Sequence, residues 1–212
     1  MVEKSTDGTL QVAREAVQGQ ANFQIVDNEV HRGKGYAVRQ GMLRASGGIV
    51  FFMDADLSTP LDEVTKFLSH FNANPEIDVL VGNRKHPSSE VRLEQSVLRK
   101  KMGETFNAIL RIAAGVSLRD TQCGFKAFRQ SACRAIFERQ TLDGFAFDVE
   151  ILFLAERLGF RTADLPVVWV NSPTSKVSII RDSLAMLRDA LRVKNLVENN
   201  LRKMPQPAEA PR

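Results

Sequence analysis

Two aspartates, Asp54 and Asp56, follow directly after the most apolar stretch of the chain, residues 48–53. Ligands of α/β proteins bind beyond the carboxyl ends of buried strands. Two carboxylates at such a position are costly unless a cation or hydrogen-bond donors neutralise them. The pair therefore predicts a site for Mg²⁺ or Mn²⁺ that is completed by the phosphates of a substrate. The alternative is a helix start capped by Ser58 or Thr59, which does not account for the two acids.

Lys34 and Arg39 lie in a basic segment with two glycines, RGKGYAVR at residues 32–39, which opens a predicted helix. Backbone N–H groups at a helix N-terminus, with a lysine beside them, are suited to a phosphate or a nucleotide. A glycine turn with a solvated basic face explains the same residues equally well.

Two arginines are candidates for a second anion, because arginine binds phosphate through a planar fork. Arg84 follows a strand predicted over 77–81, which places it at the same sheet edge as the aspartates. Arg99 lies in a long amphipathic helix predicted over 92–114. A solvated helix face is the alternative for Arg99. The apolar stripe of that helix fits either core packing or contact with an anionic membrane surface.

Lys126 and Asp148 are further candidates in the second half of the chain. Lys126 follows Gly124, which indicates a close backbone approach, and its ammonium could bind an anion. Asp148 begins a predicted helix, where the helix dipole favours an acid whatever its function. The same carboxylate could contact a sugar.

The elements that must position these residues alternate in type. The predicted strands and helices of the first part indicate βαβ units and a mostly parallel sheet flanked by helices: strands at 23–26, 48–53 and 77–81, and helices at 10–17, 35–45 and 62–72. The later elements predicted after the helix at 92–114 are a strand at 124–128, helices at 131–138 and 147–158, a strand at 163–170 and a last helix. We expect one domain over 1–200 and a disordered tail over 201–212.

The composition is that of a soluble globular domain. The chain has 212 residues, of which 43% are hydrophobic and 25% charged, and this excludes disordered, collagenous and coiled-coil proteins. The net charge of +4 is too small to indicate nucleic acid as a partner. The two cysteines form no metal-binding motif, no apolar run reaches the ~18–20 residues that span a bilayer, and no apolar signal core begins the chain. We therefore expect a cytoplasmic protein that is either free or peripheral on a membrane.

Five segments in order resemble glycosyltransferase family 2, and within it the polyprenyl-phosphate sugar synthases, above all those that glucosylate dolichyl phosphate. The segments are GKGYAVRQGMLRASGGIVFFMDADLSTP, GNRKHP, RDTQCGFKAFR, FAFDVEILFLAERLGF and SPTSKVSIIRDSLAMLRD. The resemblance covers about residues 5–193. It implies a Rossmann-like GT-A fold and an inverting transfer of a sugar from a nucleotide sugar to a lipid phosphate.

The resemblance also implies roles for individual residues. Asp54 and Asp56 would bind the metal that bridges the donor diphosphate, and they form the expected catalytic set with Arg84 and Asp148. The residues expected on the donor side are Lys34, Arg39, Ser175 and Lys176, the last two closing over the diphosphate. The residues expected to hold the acceptor phosphate are Arg84, Arg99 and Lys126. Ser175 also fits the N-cap of the last helix.

The chain departs from the family pattern at its beginning. The family starts with a strand–helix–strand unit that ends Asp-Asp-Gly, whereas Val2, Glu3 and Lys4 stand there in this chain, so we expect that unit to be missing. Ser58 replaces a glutamine of the mannosyl enzymes, which favours glucose and UDP-glucose as the donor. The alternatives are a family 2 enzyme that acts on a hydroxyl acceptor and a truncated remnant that only binds partners. The expected location is the cytosolic face of the endoplasmic reticulum in a eukaryote, or of the plasma membrane in a bacterium.

Overall fold

The computed structural model describes residues 1–4, 7–92, 108–109, 112, 115–170 and 179–203, with the backbone alone for 179–185. Its helices include α1 (Thr9–Ala16), α2 (Lys34–Arg44), α3 (Glu63–Ala73), α4 (Gln130–Arg139), α5 (Phe147–Arg157) and α6 (Ile179–Lys203). Its strands include β1 (Val2–Glu3), β2 (Asp27–Asn28), β3 (Ile49–Met53), β4 (Val79–Asn83), β5 (Glu90–Arg92), β6 (Phe125–Arg129), β7 (Thr162–Pro166) and β8 (Val168–Val170).

The central sheet has four strands in the order β3-β6-β4-β7. Strand β6 is antiparallel to both β3 and β4, and β7 is parallel to β4. Three of the four strands therefore run in one direction and β6 opposes them. The sheet contains both parallel and antiparallel pairs. The carboxyl ends of β3 and β4 nevertheless lie at the same end of the sheet, as the prediction of a mostly parallel sheet required.

Strand β3 is covered by helices on both faces. Val50 and Phe52 belong to a core cluster that includes residues of α2, α4, α5 and α6. Ile49, Phe51 and Met53 pack against the second cluster, to which α3 contributes two phenylalanines. Successive side chains of a strand point to opposite faces, so an uninterrupted apolar run is what a strand between two helical layers requires. The predicted strand is present, but only the face of Val50 and Phe52 is buried, whereas Ile49, Phe51 and Met53 are half-buried.

Two short parallel pairs lie outside the central sheet. Strand β1 pairs with β2, and β5 pairs with β8 with Arg92 opposite Val170. The predicted strand at 23–26 is wrong, because the strand in that region is β2 and Phe23 is 60% exposed. The predicted strand at 163–170 is two strands. The chain pairs with β4 up to Pro166 and then leaves the central sheet to pair with β5.

Parts of the prediction fall outside the described residues. These are most of the helix predicted over 92–114 and residues 204–212 of the predicted tail, whereas Arg92 itself ends strand β5. The disordered tail predicted over 201–212 is wrong for residues 201–203, which end helix α6. Among the described residues, no helix has the length and apolar character needed to cross a membrane.

Candidate active site

Asp54 lies at the carboxyl end of β3, beside the start of β6. Its backbone N–H donates to the carbonyl oxygen of Gly124 at 2.9 Å. A Cβ atom on Gly124 would lie 1.9 Å from Asp54 Oδ2, so only glycine leaves room for the carboxylate. The close backbone approach predicted from Gly124 is therefore an approach to Asp54, the predicted metal ligand.

A tight turn carries both predicted carboxylates. The backbone N–H of Leu57 donates to the carbonyl of Asp54 at 3.1 Å, and the N–H of Ser58 donates to Asp56 Oδ1 at 3.0 Å. Leu57 has a φ of 51°, a left-handed conformation that costs a leucine roughly 1–2 kcal/mol. Asp56 is exposed, and the Asp54 side chain is 35% exposed. The turn thus presents both carboxylates toward solvent.

Lys34 contacts the first of these carboxylates. Its Nζ lies 2.6 Å from Asp54 Oδ1. Burial opposes the charged form of Lys34, but the carboxylates of Asp148 and Asp54 outweigh burial and raise its pKa above the ordinary value. Lys34 is therefore a firmly charged ammonium paired with the predicted metal ligand.

The loop 142–144 holds the start of α2, and with it Lys34, in place. The N–H of Tyr36 donates to the carbonyl of Asp143 at 3.1 Å, and the N–H of Gly33 donates to Glu3 Oε1 at 2.9 Å. A Cβ atom on Gly35 would lie 2.5 Å from the carbonyl oxygen of Leu142. Protein acceptors thus take two of the N–H groups that the sequence suggested for a phosphate, so positive charge at this helix start comes from Lys34.

Arg84 follows β4 and is bound to Asp120. Its Nε and Nη2 donate to the two carboxylate oxygens, each at 2.8 Å, and its guanidinium carbon lies 5.4 Å from the ring centre of Trp169. Burial alone would raise the pKa of Asp120, but Arg84 lowers it to about 2. This bidentate pair uses one edge of the guanidinium and leaves the Nη1 edge outside it.

Lys126 and Asp148 form a second pair beneath the site. Lys126 Nζ lies 2.5 Å from Asp148 Oδ1 and 2.7 Å from the carbonyl oxygen of Cys123, and both charged side chains are almost fully buried. Burial raises the pKa of Asp148 above its ordinary value, although Lys126 and Lys34 counteract it. The structure differs here from the expectation of an acceptor-binding Lys126, since its ammonium is inaccessible and already bonded.

These charged groups balance one another. Three cations and three carboxylates form the charged cluster, namely Lys34, Arg84, Lys126, Asp54, Asp120 and Asp148. These six side chains have no net formal charge, so a cation that accompanied a diphosphate would add positive charge that they do not supply.

The two carboxylates of the turn fit such a cation. Carboxylate oxygens are the ligands that Mg²⁺ and Mn²⁺ prefer, and in such sites substrate phosphates supply further ligands. Within the described residues, no three His, Cys, Asp or Glu side chains assemble into a ready metal site. Asp54 and Asp56 therefore suit a cation shared with a phosphorylated substrate rather than a closed structural metal.

Four other residues were predicted to belong to the site, and the structure describes one of them. Arg39 donates through Nε to the carbonyl oxygen of Phe137 at 2.9 Å, which ties α2 to the last turn of α4 instead of reaching the cluster. Arg99 lies outside the described residues. The pair Ser175 and Lys176 lies outside them as well.

Neither Asp120 nor Trp169 had an individual role predicted from the sequence, although the resemblance covers the segment that contains Asp120. Asp120 precedes the glycine of the RDTQCGFKAFR segment, but nothing in the sequence pairs it with an arginine 36 residues away. Trp169 is the single tryptophan of the chain, and its position after β7 was the available signal. Cys123 is buried, and burial raises the pKa of its thiol to about 11.

The sequence profile of glycosyl transferase family 2 matches residues 3–137. A dolichyl-phosphate beta-glucosyltransferase of Saccharomyces cerevisiae is 32% identical over 200 residues, which cover 87% of this chain and 60% of that protein. The protein of the same description from Drosophila melanogaster is 33% identical over 191 residues, which cover 87% of this chain and 59% of that protein. The chain therefore spans about 60% of the length of these relatives.

The fold is similar to that of glucosyl-3-phosphoglycerate synthase from Mycobacterium tuberculosis, crystallised with Mn²⁺, UDP-glucose and phosphoglyceric acid. The TM-score is 0.55 at 21% sequence identity, and the match covers 96% of this chain and 67% of that one. The predicted α/β GT-A fold is confirmed. Because the profile spans most of the chain and relatives above 30% identity cover nearly nine tenths of it, the chain belongs to glycosyltransferase family 2.

Proposed function

We propose that this chain catalyses the transfer of glucose from UDP-glucose to dolichyl phosphate or a related polyprenyl phosphate, with inversion at the anomeric carbon. The observation that carries the proposal is the charged cluster at the carboxyl ends of β3 and β4, where Lys34 pairs with Asp54. The relatives described as dolichyl-phosphate beta-glucosyltransferases, matched over 87% of the chain, support this acceptor. The structural neighbour with Mn²⁺ and UDP-glucose supports this donor.

The chemistry requires two anions to approach each other. A phosphate oxygen of the lipid forms a bond to the anomeric carbon of glucose, and the bond from that carbon to the diphosphate oxygen breaks, which releases UDP. The acceptor phosphate is already ionised at neutral pH, so no general base is needed, unlike transfer to a hydroxyl. A bound Mg²⁺ or Mn²⁺ would neutralise the leaving diphosphate.

The residues of the chain divide between the two substrates. Asp54 and Asp56 would hold the cation, and Lys34 would donate to the diphosphate. The Nη1 edge of Arg84 would bind the acceptor phosphate, while Asp120 and the ring of Trp169 fix the plane of the guanidinium. Asp148 lies behind Lys34 and would tune its charge rather than accept a proton.

Residues outside the described part of the chain would complete both subsites. Segments 93–107 and 171–178 begin directly after Arg92 and Val170, which are partners in the register of β5 and β8. The chain thus starts both segments from neighbouring positions, and these segments carry Arg99, Ser175 and Lys176. We propose Arg99 as a second ligand of the acceptor phosphate, and Ser175 and Lys176 as ligands of the donor diphosphate.

The acceptor implies a place of action. A polyprenyl phosphate is held in a bilayer by its hydrocarbon chain, so the enzyme must work at a membrane surface. We propose peripheral contact with the cytosolic face of that membrane, which is the endoplasmic reticulum in a eukaryote.

The test is transfer of radiolabelled glucose from UDP-glucose to dolichyl phosphate in detergent micelles with Mn²⁺. Label should enter the organic phase as an acid-labile glycolipid. The Asp54→Asn variant should lose about a hundredfold or more of this rate, since it removes a carboxylate that would hold the cation on the leaving diphosphate. The matched control is Lys66→Met, because Lys66 pairs with Glu63 on α3, away from the cluster.

The acceptor is tested in the same assay. The Arg84→Met variant should lose transfer to dolichyl phosphate. Label that appears instead on a hydroxyl compound, at a rate insensitive to Arg84→Met, would contradict a phosphate acceptor. Binding of UDP without any transfer would leave the chain as a binding module and contradict the proposed activity.

A further inference from the structure

The contact between Lys34 and Asp54 occupies the carboxylate that the proposed function assigns to a divalent cation. Lys34 Nζ lies 2.6 Å from Asp54 Oδ1, a distance typical of a charge-assisted hydrogen bond. Asp148 and Arg84 are the other charged groups that act on this lysine, and they act in opposite directions. The ammonium therefore contacts Asp54, and the charge of Asp148 also favours its protonated form.

An ammonium and a divalent cation cannot share this position. Like charges a few ångströms apart in a partly buried site repel strongly, because solvent screening is weak there. The side chains of Lys34 and Asp54 are 28% and 35% exposed, so the site is accessible but not fully solvated. A cation that binds Asp54 through Oδ1 must therefore displace the Lys34 ammonium from that oxygen.

Only the side chain of Lys34 can move easily. The N–H groups of Gly33 and Tyr36, on either side of it, are bonded to Glu3 and Asp143. The lysine side chain, by contrast, has a flexible four-carbon stem, and it loses one ammonium–carboxylate hydrogen bond when it leaves Asp54. The backbone thus stays in place while rotation of the Lys34 side chain moves Nζ away from Asp54.

We propose that Lys34 is a built-in counterion of Asp54 that exchanges with the divalent cation: Lys34 leaves Asp54 when the metal–diphosphate arrives and then donates to a diphosphate oxygen. The inference rests on the proposed function and adds a rule about binding order. Metal alone binds weakly because it must displace Lys34 without compensation. Metal together with a nucleoside diphosphate binds well because Lys34 gains a new anionic partner.

The test measures two affinities, for Mn²⁺ alone and for UDP with Mn²⁺, which substitution of Lys34 should change in opposite directions. Binding of Mn²⁺ alone is followed by electron paramagnetic resonance, and binding of UDP at saturating Mn²⁺ by calorimetry. The Lys34→Met variant should bind Mn²⁺ alone about fivefold or more tightly than the wild type, because the competing charge is gone. The same variant should bind UDP about tenfold or more weakly, because a charge-assisted hydrogen bond is lost.

Three controls accompany the measurement. The Lys34→Arg variant keeps the competing charge and should retain the weak Mn²⁺ affinity of the wild type. The Lys66→Met variant removes an equal charge elsewhere and should change neither affinity. Thermal unfolding of each variant verifies the fold, and Lys34→Gln provides a second neutral side chain if Lys34→Met does not fold.

The outcomes separate this inference from the proposed function. An Mn²⁺ affinity of Lys34→Met equal to or weaker than that of the wild type overturns the exchange, even if Asp54→Asn abolishes Mn²⁺ binding and so leaves the metal site standing. Mn²⁺ binding that is insensitive to Asp54→Asn overturns both the exchange and the proposed metal ligand.

Discussion

Gly124 sets the position of Asp54 more strictly than any hydrogen bond does. The Gly124→Ala substitution would place a methyl group where the Asp54 carboxylate now lies, since its Cβ would be 1.9 Å from Oδ2. We expect the carboxylate to turn away from Lys34, with a loss of stability of about 1–3 kcal/mol. The Mn²⁺ affinity should fall with it. Gly48→Ala is the control, because a Cβ there, directly before β3, meets nothing within 4 Å. Equal effects of the two substitutions would contradict this role.

The pair of Arg84 and Asp120 makes stability depend on pH in acid. Arg84 lowers the pKa of Asp120 from 3.8 to about 2, against the effect of burial. The folded state therefore binds the proton less readily than the unfolded state. The resulting stabilisation is fully present above pH 4 and is lost as the pH falls toward 2.

The Asp120→Asn variant tests this dependence. We expect it to lower the free energy of unfolding by about 2–3 kcal/mol at pH 7, because it leaves Arg84 without its counterion. The difference from the wild type should shrink between pH 4 and pH 2 in urea unfolding. Glu90→Gln removes a carboxylate from a fully exposed pair and should change stability little at either pH. A difference that is constant with pH would contradict the assignment.

At the scale of single residues, the sequence predicted which groups lie near the site but not how they pair. Asp54, Lys34 and Arg84 were found from their positions after strands and before a helix. Whether a given charge faces the ligand or another side chain depends on tertiary distances of a few ångströms. Lys126 is an example. Its position in the sequence was compatible with ligand binding, but its side chain is fully buried in the structure.

At the scale of elements, the buried pair of Lys126 and Asp148 joins strand β6 to helix α5 directly under the site. The Lys126→Met substitution would leave a buried carboxylate without its counterion, which typically costs about 3–5 kcal/mol. The double variant Lys126→Met/Asp148→Asn should recover at least half of that loss. Chemical denaturation of the wild type and both variants measures it. A double variant as unstable as the single one would show that packing, rather than charge, joins these elements.

The elements predicted well are those with a large apolar face. Strand β3 was found because its continuous apolar run fits a strand buried between helices, and β4 was found from the apolar run at 79–81. Strands β2 and β5 were missed because they are two and three residues long and mostly exposed. These strands form by backbone pairing with distant parts of the chain, and such pairing leaves no hydrophobic pattern in the local sequence.

At the scale of the whole molecule, the described central sheet ends at β3, the strand that carries the site. The N–H of Asp54 donates to Gly124 and the N–H of Gln130 donates to Gly48, so the register turns the N–H groups of Val50 and Phe52 toward β6. The N–H groups of Ile49, Phe51 and Met53 face the opposite edge, on which no strand pairs among the described residues.

Hydrogen exchange measures this asymmetry. We expect the amides of Val50 and Phe52 to exchange about a hundredfold more slowly than those of Ile49 and Phe51, because only the first pair is hydrogen-bonded within the sheet. The measurement is made residue by residue at several protein concentrations. Equal protection of both sets at the lowest concentration would contradict an open edge at β3.

The parallel pair of β5 and β8 joins segments 78 residues apart in sequence, as the bond from the Val167 N–H to Ser89 Oγ shows. Contacts between such distant segments require a long loop to close, so they form late during folding. The β3–β6 pair joins segments that are equally far apart, since Ile49 lies opposite Arg129. The strand that carries Asp54 and the strands that bring Trp169 beside Arg84 therefore both depend on the closure of long loops, so the site forms together with the core rather than from one local segment.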